Sequence, residues 1–282
     1  MSQFHVIAGA VPAGQPSPEA SRDGKGIGQP VDFARAQALL QLKLSSPIVG
    51  TIAEKYLNAR ALDLPAEPSP LRCTGEVRML DGSYHPAMIA QIAVPATGEV
   101  IACQKTALTA DGSWKAAIEI AKATVGKSSG GAVAFGDLNA AQPNGKRWLV
   151  EAEGVETLLS CTQATGLAGI ATLSNSTLGK PLLPHPATII IAADRGAEVH
   201  AQAAAQRRIE QGHQVRIAMP PDGFKDFNEV LMKLGKAKGS GLILLALRHV
   251  VRIDPAPAPQ HQPQKLNTIK HGDAIPPRQI PQ

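Results

Sequence analysis

The feature that most constrains this chain is the stretch Arg147 to Glu156, which reads Arg-Trp-Leu-Val-Glu-Ala-Glu-Gly-Val-Glu and runs straight into Thr-Leu-Leu-Ser-Cys. Apolar Trp148, Leu149 and Val150 make a short strand that carries Glu153 to its end, Gly154 allows a tight turn, and a helical pattern follows at once. A carboxylate therefore sits at the C-terminal edge of a strand, the edge at which open α/β sheets bind their ligands. The pattern then repeats. Ala187 to Ala193 is a continuous apolar run, as expected of a strand buried on both faces, and it ends in Asp194 before a long Ala-rich helix. Two carboxylates from two strand ends are thus set to face each other.

Around these two runs, strands at 147–153, 169–173, 187–193 and 214–219 alternate with helices at 155–165, 196–211 and 226–234, and an apolar segment at 242–250 reads as a closing helix. Such alternation predicts right-handed crossovers and a mainly parallel sheet flanked by helices, an α/β part spanning 146–250. Upstream the period changes. A helix from residue 31 places Phe33, Ala36, Leu39, Leu40 and Leu44 on one apolar face, and a second, 51–60, turns Tyr56 and Leu57 inward. Segments at 71–77, 87–94 and 100–108, separated by Asp81-Gly82-Ser83 and Thr97-Gly98, read as antiparallel strands. This first part, 31–140, is α+β, and Pro143-Asn144-Gly145 marks the linker between the two. Residues 1–30 and the Pro- and Gln-rich 251–282 hold too few large apolar groups to offset ordering entropy and are expected to be a disordered leader and tail.

Composition narrows the functional classes. Of 282 residues, 44% are hydrophobic, and Lys and Arg exceed Asp and Glu by five, which makes an anionic partner plausible. Cys73, Cys103 and Cys161 are scattered with no C-x-x-C, against a zinc site or disulfide framework and in keeping with free thiols in a reducing cytoplasm. No apolar run approaches the roughly eighteen residues of a membrane span, and no signal peptide pattern opens the chain.

Glu153, Glu156, Asp194, Glu198, Asp226 and Glu229 stand near the expected strand ends or helix starts. Converging acids suit magnesium, which is usually held by one or two carboxylates plus substrate phosphates, and a carboxylate off the metal suits general acid–base work on a nucleotide hydroxyl. The same residues also suit a purely local role, because Asp194 and Asp226 are good N-caps and acids in a first helical turn are favoured by the helix dipole. The basic residues of the first part, Arg60, Arg72, Arg78, Lys105, Lys115, Lys122 and Lys127, form either a solvated face or a phosphate-tracking surface. Phe227 reads as a core anchor, Cys161 as a buried filler and His185, between two prolines, as a loop residue.

Glu153-Gly154 with Glu156, the strand ending Ala192-Ala193-Asp194, and Lys225-Asp226-Phe227-Asn228-Glu229-Val230-Leu231 resemble the Toprim domain of DNA primases carried by phages, plasmids and integrative elements. Tyr56-Leu57-x-x-Arg60, Leu71-Arg72, His85-Pro86-Ala87-Met88, Lys105-Thr106-x-Leu108 and Gly130-Gly131-Ala132-Val133 look like the domain that precedes Toprim in those proteins. The resemblance implies an α+β N-terminal subdomain followed by an α/β Toprim domain. It implies Glu153 as the catalytic glutamate and Asp194 as the first aspartate of an Asp-x-Asp metal motif, with Gly154 and Lys225 at the cofactor. The second aspartate is replaced by Gly196, so Glu198 or Asp226 would complete the metal set. The implied activity is Mg²⁺- or Mn²⁺-dependent nucleotidyl transfer, making primers on single-stranded DNA from nucleoside triphosphates. Arg60, Arg72, Lys105, Lys115, Lys122 and Lys127 would guide the strand, and a helicase or other replication proteins would be partners. With no cysteine-rich zinc module and no helicase-type phosphate loop, the chain is expected to be a minimal primase core. Two alternatives stand beside this: a DNA-binding or replisome adaptor whose metal chemistry was weakened at Gly196, and a Toprim nuclease. Tyrosine-based strand passage is disfavoured, because Tyr56 and Tyr84 fall at packing or turn positions.

Overall fold

The computed structural model describes residues 32–248 and 250–253, so the expected leader and nearly all of the expected tail lie outside the described residues. Two sheets organise them. The first is a five-stranded antiparallel sheet in the order β1 (Ser46–Pro47), β2 (Leu71–Arg78), β3 (Tyr84–Ala93), β4 (Val100–Ala107) and β5 (Lys122–Gly126). The turns fall at the expected Asp81-Gly82-Ser83 and Thr97-Gly98. Because side chains alternate along a strand, the sheet has two faces with different neighbours. Met88, Ala90, Ile92 and Ala102 pack with helix α2 (Ile52–Ala59), through its buried Tyr56 and Leu57. Ile89, Cys103, Ala107 and Ala123 face helix α1 (Phe33–Leu44).

α1 docks by a different side from the expected one. Its buried residues are Ala38 and Leu42, while Phe33 is 78% exposed and Leu44 70%, with Ala36, Leu39 and Leu40 exposed as well. The sheet face beneath sets small Cys103, Ala107 and Ala123 beside Ile89, Val77 and Met79, and the helix meets it through Ala38 and Leu42. Counting large apolar residues on α1 therefore identified the outer stripe.

The second sheet has six strands in the order β11 (Val251–Ile253), β10 (Gln214–Ala218), β9 (Thr188–Ala192), β7 (Trp148–Ala152), β8 (Gly169–Ala171) and β6 (Val133–Phe135). β7 to β10 run parallel and the two edge strands antiparallel. Helices α3 (Val155–Thr165) and α5 (Phe227–Arg248) cover the face of Val150, Ala152, Ile190 and Ala192, and α4 (Glu198–Glu210) covers that of Leu149, Ile189 and Ile191. The closing helix expected at 242–250 is the second half of α5, past a break at Gly235 (φ +75°, ψ 165°). β6 lies upstream of the linker yet pairs with β8, and β11 is too short to show a sequence period. The α2 side of the first sheet and the α3/α5 side of the second share one apolar core, in which Tyr56, Leu57, Phe135, Leu158 and Phe227 are all buried.

The opposite face of β7 hides an ion pair. Glu151 is buried against Arg208 of α4, with Arg208 Nε 2.8 Å from Oε2 and Nη2 3.0 Å from Oε1, and Gly179 N also donates to Oε1 at 2.7 Å. Arg208 Nη1 donates to Pro181 O and Gln211 Oε1, so both charges are satisfied. Removing one partner strands the other without water. Arg208→Met should cost about 3–5 kcal/mol in urea unfolding, and the double variant with Glu151→Leu should recover most of that loss.

Candidate active site

From β7 the chain passes through α3 on one face to β8, whereas from β9 it passes through α4 on the other face to β10. The sheet order thus reverses between β7 and β9, and a crevice opens beyond their C-terminal ends. Glu153 follows β7 immediately, its carbonyl accepting a hydrogen bond from Leu173 N at 2.8 Å. Asp194 follows β9, and Asp226 stands just before α5. Together with Gly154, Thr157, Lys225 and Asn228 they line a cleft of about 220 Å³, whose other wall comes from the first half: Arg60, Gln104, Lys115 and Lys122.

Asp194 is not a helix cap. α4 begins at Glu198 with Ala197 in the capping position and no side-chain cap, which leaves the Asp194 carboxylate for the cleft. Thr157 Oγ1 donates to its Oδ1 at 3.3 Å. Burial, then the nearby Asp226 and Glu153, push the Asp194 carboxyl up to about 6, against the opposing effects of Thr157 and Lys225. Asp226 Oδ1 accepts from Glu229 N at 2.7 Å, the helix cap expected of it, and the residue also lines the cleft. The loop that carries it is stapled by Arg195, the residue next to Asp194. Arg195 donates through Nε to Phe224 O and through Nη2 to Pro220 O and Asp222 Oδ1, and its backbone N donates to Lys225 O.

The cationic wall is anchored on Glu156. This side chain, buried in the first turn of α3, accepts from Tyr56 OH at 2.7 Å and pairs with Lys115 at 3.3 Å and Lys122 at 3.0 Å. Burial alone would raise its pKa, but Lys122, Lys115 and the Tyr56 hydroxyl hold the carboxyl well below its usual range. Burial and Glu156 drive the Tyr56 phenol far above its usual value, so it stays a neutral donor. Arg60 joins the same wall to α5. Its Nη1 donates to Asn228 Oδ1 at 3.0 Å, and Asn228 Nδ2 donates back to Arg60 O and to Ser160 Oγ.

Four residues expected at the site lie elsewhere. Arg72 and Lys105 sit at strand positions that alternate away from the cleft face: Arg72 donates to Ser45 Oγ and Ser45 O, and Lys105 Nζ to Arg78 O at 2.7 Å. Lys127 is exposed in the loop past β5, and Glu198 is exposed with its Oε1 accepting from Gly196 N at 3.2 Å. Gly154 has φ −96° and ψ 150°, extended backbone open to any residue, so no turn requires a glycine there. An added Cβ would instead reach 3.6 Å from Glu156 Oε2, inside the cleft. Gly196 does need its glycine, at φ +88°. The residues missed from sequence are Thr157, Asn228, Arg195 and Gln104, and Tyr56 was read as packing and as part of a resemblance block with Arg60, with no place at the site. Gln104 was within reach, because strand parity places it, rather than Lys105, on the face of Thr106 and Lys122.

Among the described residues no group of three or more His, Cys, Asp or Glu side chains is placed to hold a metal ion. The donor set still fits a hard divalent cation. It is all carboxylate oxygen, and the negative charge of Asp226 and Glu153, which adds to burial in raising the Asp194 carboxyl, is charge a cation relieves, with water and phosphate filling the remaining positions.

Residues 149–237 match the Toprim domain, and residues 34–135 match a domain of unknown function (DUF7146). Among solved structures, a DNA primase domain from Pseudomonas aeruginosa shares the fold with TM-score 0.52 and 15% identity, over 78% of this chain and 79% of that one. The zinc-binding and RNA polymerase domains of the Aquifex aeolicus primase align with TM-score 0.47 and 15% identity, over 79% of this chain and 62% of that one. None of the curated proteins compared matches the chain. The chain is a Toprim-domain protein of primase-like fold. No helix among the described residues is long and apolar enough to cross a membrane.

Two tests follow from this geometry. The Asp194 carboxyl is raised in the fold from 3.8 to about 6, so its bound proton favours the folded state fully below pH 3.8, and that contribution is lost as pH rises through about 6. In EDTA, Asp194→Asn should therefore melt higher than the wild type at pH 8, with the difference vanishing near pH 4. Gly196→Asp should cost about 1–2 kcal/mol in urea unfolding, because the left-handed backbone strains any residue with a Cβ.

Proposed function

We propose that this chain carries out divalent-metal-dependent nucleotidyl transfer, making primers on single-stranded DNA from nucleoside triphosphates during replication of a mobile element. The observation that carries this reading is the meeting of Glu153, Asp194 and Asp226 with Arg60, Lys115 and Lys122 across one cleft. Template and triphosphate are both polyanions, so such a reaction needs a cationic wall to hold them and an acidic pocket that is unfavourable to phosphate unless a metal neutralises it. The likeness of fold to the Pseudomonas aeruginosa primase domain supports the same reading.

Asp194, Glu153 and Asp226 would hold Mg²⁺ or Mn²⁺, which supplies positive charge where the transferring phosphate becomes more negative. The remaining work falls to the chain. Lys115, Lys122 and Arg60 bind phosphate oxygens from the opposite wall, Glu156 keeps the two lysines extended into the cleft, and Gly154 leaves the space a side chain would take. Glu153, where it is not engaged by metal, accepts the proton of the attacking hydroxyl. Residues 31–140 act as the strand-guiding half and 146–250 as the catalytic half, working in the cytoplasm beside a helicase or other replication proteins. A second reading is favoured by one observation: at Gly196 the backbone is left-handed and carries no second carboxylate, as in an adaptor that binds DNA with weak chemistry.

Incubation with single-stranded DNA, labelled nucleotides and Mg²⁺ or Mn²⁺ separates these readings. Primers made by the wild type and lost in Glu153→Gln would support the enzyme. Tight DNA binding with no product from either protein would favour the adaptor, and Glu153-dependent loss of template would show a nuclease. Binding of single-stranded DNA should weaken steeply with salt, by the release of counterions. Lys122→Gln should flatten that slope, and Lys105→Gln, on the other face of the sheet, should leave it unchanged.

A further inference from the structure

The loop joining β4 to β5 carries Trp114, one of only two tryptophans in the chain, and this residue is 55% exposed. A single exposed aromatic needs no explanation by itself. Two further observations set this one apart. The first is its position: Lys115, the next residue, lines the cleft, and the guanidinium carbon of Arg60, another cleft residue, lies 5.6 Å from the centroid of the Trp114 ring. Arg60 is itself stacked on Tyr56 at 4.9 Å, so Tyr56, Arg60 and Trp114 form a continuous pile from the core to the rim of the cleft.

The second observation is rigidity. Thr109 N donates to Trp114 O at 2.9 Å and Trp114 N donates to Thr109 Oγ1 at 3.2 Å, closing the loop across its base. Inside it, Asp111 Oδ1 accepts from Thr109 Oγ1 and Ser113 N, and these hydrogen bonds hold its carboxyl down at about 2. Gly112 has φ +76°, and a Cβ there would stand 2.8 Å from Ile52 O, so the loop lies hard against the start of α2. The indole is thus presented by a fixed loop, and little ordering entropy would be lost when something stacks on it.

We infer that Trp114 is a stacking platform for an unpaired base of a nucleic-acid strand whose backbone runs along Arg60, Lys115 and Lys122. The inference rests on the strand-binding reading above and adds to it the residue that engages a base. Stacking suits this place because every base has a π-face, so a strand can be held without regard to sequence. Arg60 covers one side of the ring, which leaves the base the other.

Tryptophan fluorescence tests this in the full chain. The second tryptophan, Trp148, is an internal reference: it lies at the start of β7, the opposite edge of the sheet from the cleft, with Arg216 4.8 Å from its ring. Titration with oligo(dT) should quench emission in step with binding followed by anisotropy of a labelled strand. The quench should persist in Trp148→Phe and vanish in Trp114→Phe. An abasic strand of equal length should bind more weakly and quench little. Trp114→Ala should weaken oligo(dT) binding about five- to a hundredfold, with an unchanged salt slope because no phosphate contact is lost, and Trp114→Tyr should retain most of the affinity. Undiminished binding by Trp114→Ala, equal quenching by the abasic strand, or quenching by ATP with none by oligo(dT) would overturn the assignment while leaving strand binding intact. Absence of any binding of oligo(dT) to the wild type would overturn both readings together.

Discussion

A buried carboxylate, Glu156, joins the two halves of this protein. It belongs to α3 of the Toprim sheet, and each of its three side-chain partners, Tyr56, Lys115 and Lys122, belongs to the other half. The first turn of α3 favours an anion there, and a charge so deeply placed is tolerated only when it is paired and hydrogen-bonded. Two ammonium groups to one carboxylate leave the wall with net positive charge. Glu156 therefore fixes the geometry of the interface and places the two lysines whose excess charge makes this wall positive.

The opposite wall has the reverse imbalance. Glu153, Asp194 and Asp226 come from three different chain segments, and burial, with the two neighbouring carboxylates adding to it, raises the Asp194 carboxyl to about 6. Such crowding persists only where the backbone enforces it. Here the reversal of sheet order brings β7 and β9 together, and Arg195 ties the loop before α5 to the end of β9. Each wall thus repels itself, and the cleft is complementary to a polyanion and a cation bound together.

Much of this was legible in the sequence, for reasons that can be named. The strand leading to Glu153, the α3 boundaries and the apolar run before Asp194 were plain because buried parallel strands and amphipathic helices leave strong periodic signals. What stayed hidden depends on partners distant in the chain. Lys105 and Lys122 look alike as letters, but register and pleat turn one toward α1 and the other toward Glu156. The docking side of α1 depended on the residues beneath it, and the left-handed backbone at Gly196, with φ of +88°, left no sign in the neighbouring letters. The buried Glu151–Arg208 pair left no local sign, since its members are separated by 57 positions in the chain.

The central claim is that three acids of the Toprim sheet form a divalent-cation site facing the lysines held by Glu156. Titration of the protein with Mn²⁺, followed by electron paramagnetic resonance in the presence and absence of a nucleoside triphosphate, tests it most directly. The account predicts saturable binding that the triphosphate strengthens, lost in Asp194→Asn, weakened in Asp226→Asn and unchanged in Glu198→Gln. Equal binding by the wild type and Asp194→Asn, or no binding by the wild type even with triphosphate present, would contradict it.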